Sequence, residues 1–250
     1  MLQCAKFNGK ITTQITQKYT NIRIFLQAQK LIKLFSQARL NGYTSPQEHE
    51  ENLALIGTIS RKIGILEIIL RNSIDEIMQA QNPKWLQSLP QDFELKKDKN
   101  EQNPTRDKII SMQSLGFWVR VVEHYKIHNQ VFGKDFLDNL DLKKYCAKNP
   151  RHFYSTSIMR HHKVSAIIQL FRLIRNRAFH FENLYKITQN GYPRLNVKIQ
   201  NKHKEKAYIA IKPSKITVFL DDLITNFDKD LITYARYYEN IKTKKLNRSE

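Results

Sequence analysis

The chain has 250 residues, 41% hydrophobic and 10% aromatic, enough for one sizeable core. Its 42 Lys+Arg against 23 Asp+Glu leave a formal net charge of +19, which calls for a polyanionic partner: nucleic acid first, with an anionic membrane surface or an acidic protein satisfying the same field. Two cysteines, Cys4 and Cys146, exclude a disulfide framework and a cysteine-rich zinc site, and fit a reducing cytoplasm.

The first residues, MLQCAKFNGKITTQ, lack the apolar segment of a secretory signal, and no apolar run approaches the roughly 20 residues needed to span a bilayer. A cytoplasmic protein without a membrane partner is expected. Seven glycines and seven prolines are scattered rather than clustered, so residues 1–250 read as one domain, with a core over about 22–184 and a C-terminal hairpin and helix over about 195–240.

In chain order, Ile22 to Leu40 reads as a helix. Ser45-Pro46-Gln47-Glu48 is a capping box: Ser45 accepts from a first-turn amide, Pro46 has no amide to leave unpaired, and Glu48 reaches back to the Ser45 amide. Beyond it, Leu53, Ile56, Ile63, Leu66, Leu70, Ile74 and Ile77 trace one helical face to about Ala80, widened by Ile65, Ile68 and Ile69, which predicts a central helix packed on more than one side.

Asn82-Pro83 breaks that helix, and Lys96 to Asn103 reads as an exposed loop. Helix resumes near Thr105, and SLGFWVRVVEHY, Ser114 to Tyr125, reads as a helix with Gly116 at a close contact and Phe117 and Trp118 in the core. Asn149-Pro150 is expected to open the next long helix, striped by Val164, Ile167, Ile168, Phe171, Ile174 and Ala178. Because Leu170 and Leu173 fall outside the stripe, that helix is apolar nearly all round and calls for a second burying surface. LNVKIQ and AYIAI alternate with the two-residue period of strands around NKHKEK, predicting a hairpin at about Leu195 to Ile211. Helix returns from Ser214 to Tyr238, and Lys242 to Glu250 is expected to fray. The fold class is mainly α, a helical bundle with a small hairpin near the C-terminus.

The positive charge is uneven. No acidic residue lies between Asp141 and Glu182, where Lys143, Lys144, Lys148, Arg151, Arg160, Lys163, Arg172, Arg175 and Arg177 fall together with His152, His161, His162 and His180. Such a run is either a solvated basic face or a groove that tracks phosphates. Within it, RNRAFH, Arg175 to His180, carries groups suited to RNA scission. Asn176 and His180 stand one turn apart on one helical face, and Arg175 lies at the edge of the apolar stripe, able to wrap toward the imidazole. An imidazole, with an ordinary pKa near 6.5, exchanges protons at neutral pH, an amide orients a phosphate or the ring, and a guanidinium stabilises a phosphorane's charge. RNA brings its own nucleophile, the 2′-hydroxyl, so these groups suffice without a metal.

RNRAFH with Phe181-Glu182-Asn183 resembles the signature of HEPN domains and, more narrowly, of the abortive-infection (Abi) branch. LEIILRNSIDEIM, Leu66 to Met78, and SLGFW, Ser114 to Trp118, occur in the expected order, so the resemblance covers about Leu31 to Leu184. It implies a HEPN-like helical bundle and a metal-independent endoribonuclease that leaves a 2′,3′-cyclic phosphate. It also implies a toxin-like phage-defence effector, restrained by an antitoxin protein or a non-coding RNA. Because the family pairs two motifs and this chain carries one, a homodimer is implied, with no cofactor. Carried over, Arg175 binds the scissile phosphate, Asn176 orients it or the histidine, and His180 transfers the proton. Arg177 either contacts the RNA backbone or is solvated, and Arg172, Lys163, Arg160 and His161 are candidate RNA contacts. Glu67 and Arg71 form either an ordinary helix ion pair or a support in which Glu67 positions Arg175.

Adjacent in sequence, His161 and His162 are expected to point to different sides of their helix, poor geometry for zinc. No phosphate-cradling glycine loop or nucleophile elbow is present. Two further functions remain open: a bundle that binds RNA or an antitoxin without cutting, and a basic DNA-binding regulator.

Overall fold

A computed structural model describes residues 29–97, 101 and 103–236. The chain divides into two compact units, Met1–Glu51 and Asn52–Glu250, where composition suggested a single domain. In the first, residues 29–35 are helical, Ser36 takes a left-handed φ of 67°, and α1 follows at Gln37–Leu40. The helix expected over Ile22 to Leu40 is therefore interrupted at Ser36, whose Oγ accepts from the Arg39 amide at 3.3 Å and restarts the helix; its first residues lie outside the described ones. Ser45 Oγ accepts from the Glu48 amide at 3.1 Å at the start of α2, Pro46–Gln81. The Glu48 carboxylate reaches the Thr44 amide at 3.3 Å rather than that of Ser45, so the reciprocal half of the box is shifted by one residue.

In the second unit α2 buries Ile56, Ile63, Leu66, Leu70 and Ile74, as the spacing predicts. The broad band does not close: Ile68 is 51% exposed, because it lies about 200° round the helix from Leu66. Two charged residues of α2 are buried and paired. Lys62 Nζ lies 3.0 Å from Asp221 Oδ1, near in distance but off-axis for a hydrogen bond, and Asp221 also pairs with Arg236. Asp75 accepts from Trp85 Nε1 at 3.0 Å and from Gln79 Nε2 at 2.8 Å, and pairs with Arg106.

Both middle helices start on hydroxyl caps. Thr105 accepts from the Lys108 amide before α3, Arg106–Met112, and Ser114 accepts from the Phe117 amide before α4, Leu115–Tyr125. Phe117 and Trp118 are buried in a ring cluster with Trp85 and Phe93. Of the loop expected over Lys96 to Asn103, residues 98–100 and 102 lie outside the described ones; the Lys96 amide is tied to Gln113 Oε1 at 3.0 Å. Short helices α5, His128–Val131, and α6, Lys134–Asn139, lead to a 3₁₀ turn at Leu142–Lys144.

The long helix α7 spans Arg160–Phe179, so Asn149-Pro150 does not open it. Asn149 is buried and committed elsewhere: Nδ2 donates to the carbonyls of Leu142 at 2.8 Å and Ala210 at 2.9 Å, and Oδ1 accepts from the Ala210 amide at 2.8 Å. Residues 150–159 instead fold into a small loop closed by the Phe153 amide on the Thr156 carbonyl at 2.7 Å.

α7 packs against α4, α5 and α6 and against the first strand of the predicted hairpin, β1, Asn196–Gln200. Leu170 is fully buried and Leu173 half-buried. The second surface that an all-round apolar helix needs is thus supplied by the same chain, and its pattern does not itself require a partner subunit. Antiparallel β2, Lys206–Ala210, completes the hairpin, with Val197 opposite Ile209 and Ile199 opposite Ala207 toward the core. The terminal helix expected from Ser214 to Tyr238 is split: a 3₁₀ turn at Pro213–Lys215 leads into α8, Ile216–Phe227, and α9, Leu231–Ala235, follows after a break at Asp228. Cys4 and residues beyond 236 lie outside the described ones. Among the described residues no helix is long and apolar enough to cross a membrane.

The Asn149 side chain is the polar bolt between the hairpin and the segment before α7. Asn149→Ala removes three hydrogen bonds and leaves Ala210 groups buried, which should cost about 2–4 kcal/mol in a urea titration; a loss under about 0.5 kcal/mol would show that the hairpin docks without it.

Candidate nucleic-acid site

RNRAFH occupies the last turn of α7. His180 is its C-cap, with φ −93° and ψ 5°, and its amide donates to the Asn176 carbonyl at 3.0 Å. Phe181 then turns left-handed at φ 52°. Its amide reaches the Ala178 carbonyl at 3.0 Å, and the Glu182 amide reaches the Arg177 carbonyl at 2.9 Å, the paired bonds of a Schellman closure. Glycine usually takes that left-handed position; a bulky side chain there carries strain of about 1–2 kcal/mol. Asn52 of α2 holds the turn from below: its Nδ2 donates to the Glu182 carbonyl at 3.2 Å and its Oδ1 accepts from the Leu184 amide at 2.8 Å. Asn52 is a positioning residue that sequence reading missed, its only signal being a polar side chain on the buried face of an apolar helix.

Arg175 leaves α7 toward α2. Its Nε donates to Glu67 Oε2 at 3.0 Å and its Nη2 to Glu67 Oε1 at 3.4 Å, a two-point pairing, while Nη1 reaches Asn176 Oδ1 at 3.4 Å and the guanidinium lies 5.3 Å from the centre of the Phe179 ring. It does not wrap toward the imidazole. Of the two roles open to Glu67, its contact is with Arg175; Arg71 donates to the Ser111 carbonyl at 3.1 Å. The His180 ring is exposed and engages no hydrogen bond, ion pair or ring contact with a described residue.

Arg175 and Asn176 line a cleft of about 340 Å³ with Arg172, Gln169, Ser114, Gly116 and Asn196. One wall is the capped start of α4, another the edge of β1, so the SLGFW block and RNRAFH meet in space. A Cβ on Gly116 would lie 3.8 Å from Arg172 Nη1, which places that guanidinium against the first turn of α4. Arg172 makes no ion pair or hydrogen bond with a described residue. His180 is not among the lining residues; it stands one turn further along α7, outside the cleft mouth.

Most other predicted contacts have structural work. Arg160 pairs with Asp138 through Nε at 2.5 Å and Nη2 at 2.7 Å. Lys163 Nζ donates to the carbonyls of Leu137 at 2.6 Å and Leu140 at 2.9 Å, closing the end of α6, and its burial lowers its pKa. Arg177 is neither solvated nor turned outward: it is mostly buried against Glu182 at 2.5 Å, and Arg194 reaches the same carboxylate at 3.3 Å. Burial lowers the Arg177 pKa first, and Arg194 lowers it further. His161 and His162 do not diverge; their rings meet at a tilt of 46° with centres 3.9 Å apart, since the His162 ring folds back to accept the Met159 amide on Nδ1 at 3.2 Å. Among the described residues no group of three or more His, Cys, Asp or Glu is arranged to hold a metal ion.

Comparison with known proteins finds no matching family model, no similar curated protein and no similar solved structure.

His162 makes the start of α7 sensitive to acid. Burial pushes its pKa down to about 4, with the nearby His161 and His128 rings adding to the shift. A histidine whose folded pKa lies below its unfolded value near 6.5 contributes stability that is full above 6.5 and is lost as pH falls toward 4. The urea midpoint should therefore fall between pH 6.5 and 4, and His162→Gln, which keeps an acceptor but cannot ionise, should flatten that part of the profile; an unchanged profile would count against His162 as its origin.

Proposed function

We propose that this protein is a metal-independent endoribonuclease of the HEPN type, an Abi-like, toxin-like effector of phage defence. What carries the proposal is the geometry at the end of α7: a guanidinium anchored on two points by Glu67 faces a polar cleft beside Asn176, one turn from an exposed histidine on a fixed turn. In this mechanism an RNA phosphodiester sits at the cleft mouth. Arg175 offers its remaining N–H donors to the non-bridging oxygens and stabilises the charge that grows as the phosphorane forms. Asn176 holds Arg175 and presents its amide N–H groups to the same phosphate. His180 accepts the proton of the attacking 2′-hydroxyl or donates one to the leaving 5′-oxygen, with the 2′,3′-cyclic phosphate and a free 5′-hydroxyl as products.

One imidazole serves one of those proton transfers at a time, so a second copy of this chain, bringing its own His180, would complete the acid–base pair; this is the ground on which we place a homodimer. A free toxin of this kind requires restraint, by an antitoxin protein or a non-coding RNA, in the cytoplasm. The alternative, a bundle that binds RNA without cutting, is favoured by one observation: His180 lies outside the cleft that Arg172 and Arg175 line.

Purified protein incubated with total RNA should cleave it equally with and without EDTA, and His180→Ala or Arg175→Ala should slow cleavage by about 10²–10⁴-fold. RNA left intact by wild type and variant alike would refute the nuclease reading for that substrate, and cleavage abolished by EDTA would refute the metal-free route. Glu67→Gln, which keeps the shape but removes the charge that aims Arg175, should lower kcat by roughly ten-fold with KM little changed; a rise in KM alone would place Arg175 in substrate binding only.

A further inference from the structure

The outer face of the hairpin is turned away from the core. Opposite the core-facing pairs, Lys198 stands across from Tyr208 and Gln200 across from Lys206, and all four are exposed. Tyr208 remains 52% exposed, and its ring makes no aromatic or cation–π contact with a described residue. Lys202 and Lys204, on either side of the exposed His203, continue the exposed positive charge through the turn. Lys198, Lys202, Lys204 and Lys206 have no acidic partner among the described residues. The acid of this turn, Glu205, is engaged by the Ser155 amide at 2.9 Å and by Asn201 Nδ2.

Those contacts bring a second aromatic side chain to the same end of the hairpin. Ser155 binds Glu205, and Thr156 Oγ1 accepts from Asn201 Nδ2 at 2.9 Å, so the tight loop over residues 150–159 is fastened to the hairpin turn. Tyr154, next to Ser155, is 100% exposed. A ring held fully in water on a fastened loop adds nothing to the stability of the chain.

The opposite end of this face meets the cleft. Asn196, which lines the cleft, is the first residue of β1 and stands on the same side of the strand as Lys198 and Gln200. From Asn196 to Gln200 a strand runs about 13 Å, the reach of a few nucleotides of extended backbone. We propose that the outer face of the hairpin is a platform for single-stranded RNA, along which the strand flanking the cleavage point leaves the cleft, with a base stacked on Tyr208 and phosphates on Lys198 and Lys206, and with Tyr154 and the turn lysines at the far end. Stacking on an exposed ring needs an unpaired base, and paired lysine charge tracks a phosphate chain without reading its sequence, so the occupant is a single strand rather than a duplex. The identity of that strand as substrate rests on the nuclease function proposed above; the platform itself rests on charge, exposed aromatics and continuity with the cleft.

The test uses the full chain carrying His180→Ala, so that bound RNA is not cut, and reads the fluorescence anisotropy of a labelled single-stranded RNA of mixed sequence. Tyr208→Ala should weaken binding roughly five- to a hundred-fold, and Tyr208→Phe should restore it. The pair Lys198→Ala and Lys206→Ala should reduce the slope of log affinity against log salt by about 1.4. Because these side chains are exposed, the thermal midpoint should not move, and a duplex RNA should lose far less affinity with Tyr208→Ala than the single strand does. Unchanged single-strand affinity in the Tyr208 and lysine variants, with wild type still cleaving RNA, would overturn the platform and leave the nuclease standing. Weakened binding in those variants with no cleavage by wild type would do the reverse, and failure of the parent to bind RNA at all would refute both.

Discussion

α7 is enclosed by its own chain, and the candidate site depends on that enclosure. Val164, Ile167, Leu170, Phe171, Ile174 and Ala178 are fully buried beneath α4, α5, α6 and β1, each large apolar side chain contributing on the order of 1.5–3 kcal/mol when removed from water. A helix gripped on this many sides cannot rotate or slide without breaking several interfaces at once. Its last turn is therefore delivered to one place, between the start of α4 and the edge of the hairpin. The cleft is a by-product of packing: where the apolar stripe ends, Arg172, Arg175 and Asn176 emerge between two elements that the stripe has drawn together. The same enclosure removes burial as a ground for dimerisation and leaves proton-transfer chemistry to carry it.

Electrostatics sorts the cations of the acid-free segment into two groups. Lys144, Arg151 and Arg160 pair with Asp222, Asp141 and Asp138, Arg175 and Arg177 with Glu67 and Glu182, and Lys163 is bound by carbonyls. A stretch that is wholly basic in one dimension is thus largely neutralised in three, by acids from outside or at the margins of the segment. Sequence therefore overstates the free charge around RNRAFH. The open positive charge sits on the hairpin, where neighbouring carboxylates are few and Glu205 is tied down, a location that local charge counting did not single out.

How much was legible follows the range of the interactions. Ser45 is legible as a helix start because a cap bonds to an amide three residues away, and the hairpin because alternation and turn composition are local; near Thr105 and Ser114 only the helices are legible, and their hydroxyl caps emerge from the structure. Ser36 was missed because a left-handed serine leaves no compositional mark, and Phe181 because glycine is the usual sign of such a closure. Asn149 looked like a helix start by the same local rule that succeeded at Ser45, yet its partners are at Leu142 and at Ala210, 61 residues on. A cap-like residue followed by proline carries two meanings, and only the distant strand decides between them. Within the site, support of Arg175 by Glu67 is one of two roles the sequence leaves open, and the contact across 108 residues decides between them. Arg177, two positions on, needed Glu182 and the turn at Phe181 before its direction was fixed.

The strained turn and the free imidazole belong together. A proton-transferring group requires a fixed origin and a mobile end: the backbone must be placed to within a fraction of an ångström, while the ring must turn to meet substrate. At His180 the backbone is held by the helix bond to Asn176, by the Schellman closure around Phe181, and by Asn52 beneath Glu182 and Leu184. The ring has no partner among the described residues, so no hydrogen bond must be broken before it acts. Strain at Phe181 is tolerated because Asn52, Glu182 and the buried Leu184 together over-determine the turn. A structural histidine at a helix end would be expected to donate to a last-turn carbonyl or stack on a neighbour; His180, between Phe179 and Phe181, does neither with any described residue. The distribution of restraint, tight on the backbone and absent on the imidazole, favours a group kept for chemistry over one kept for stability.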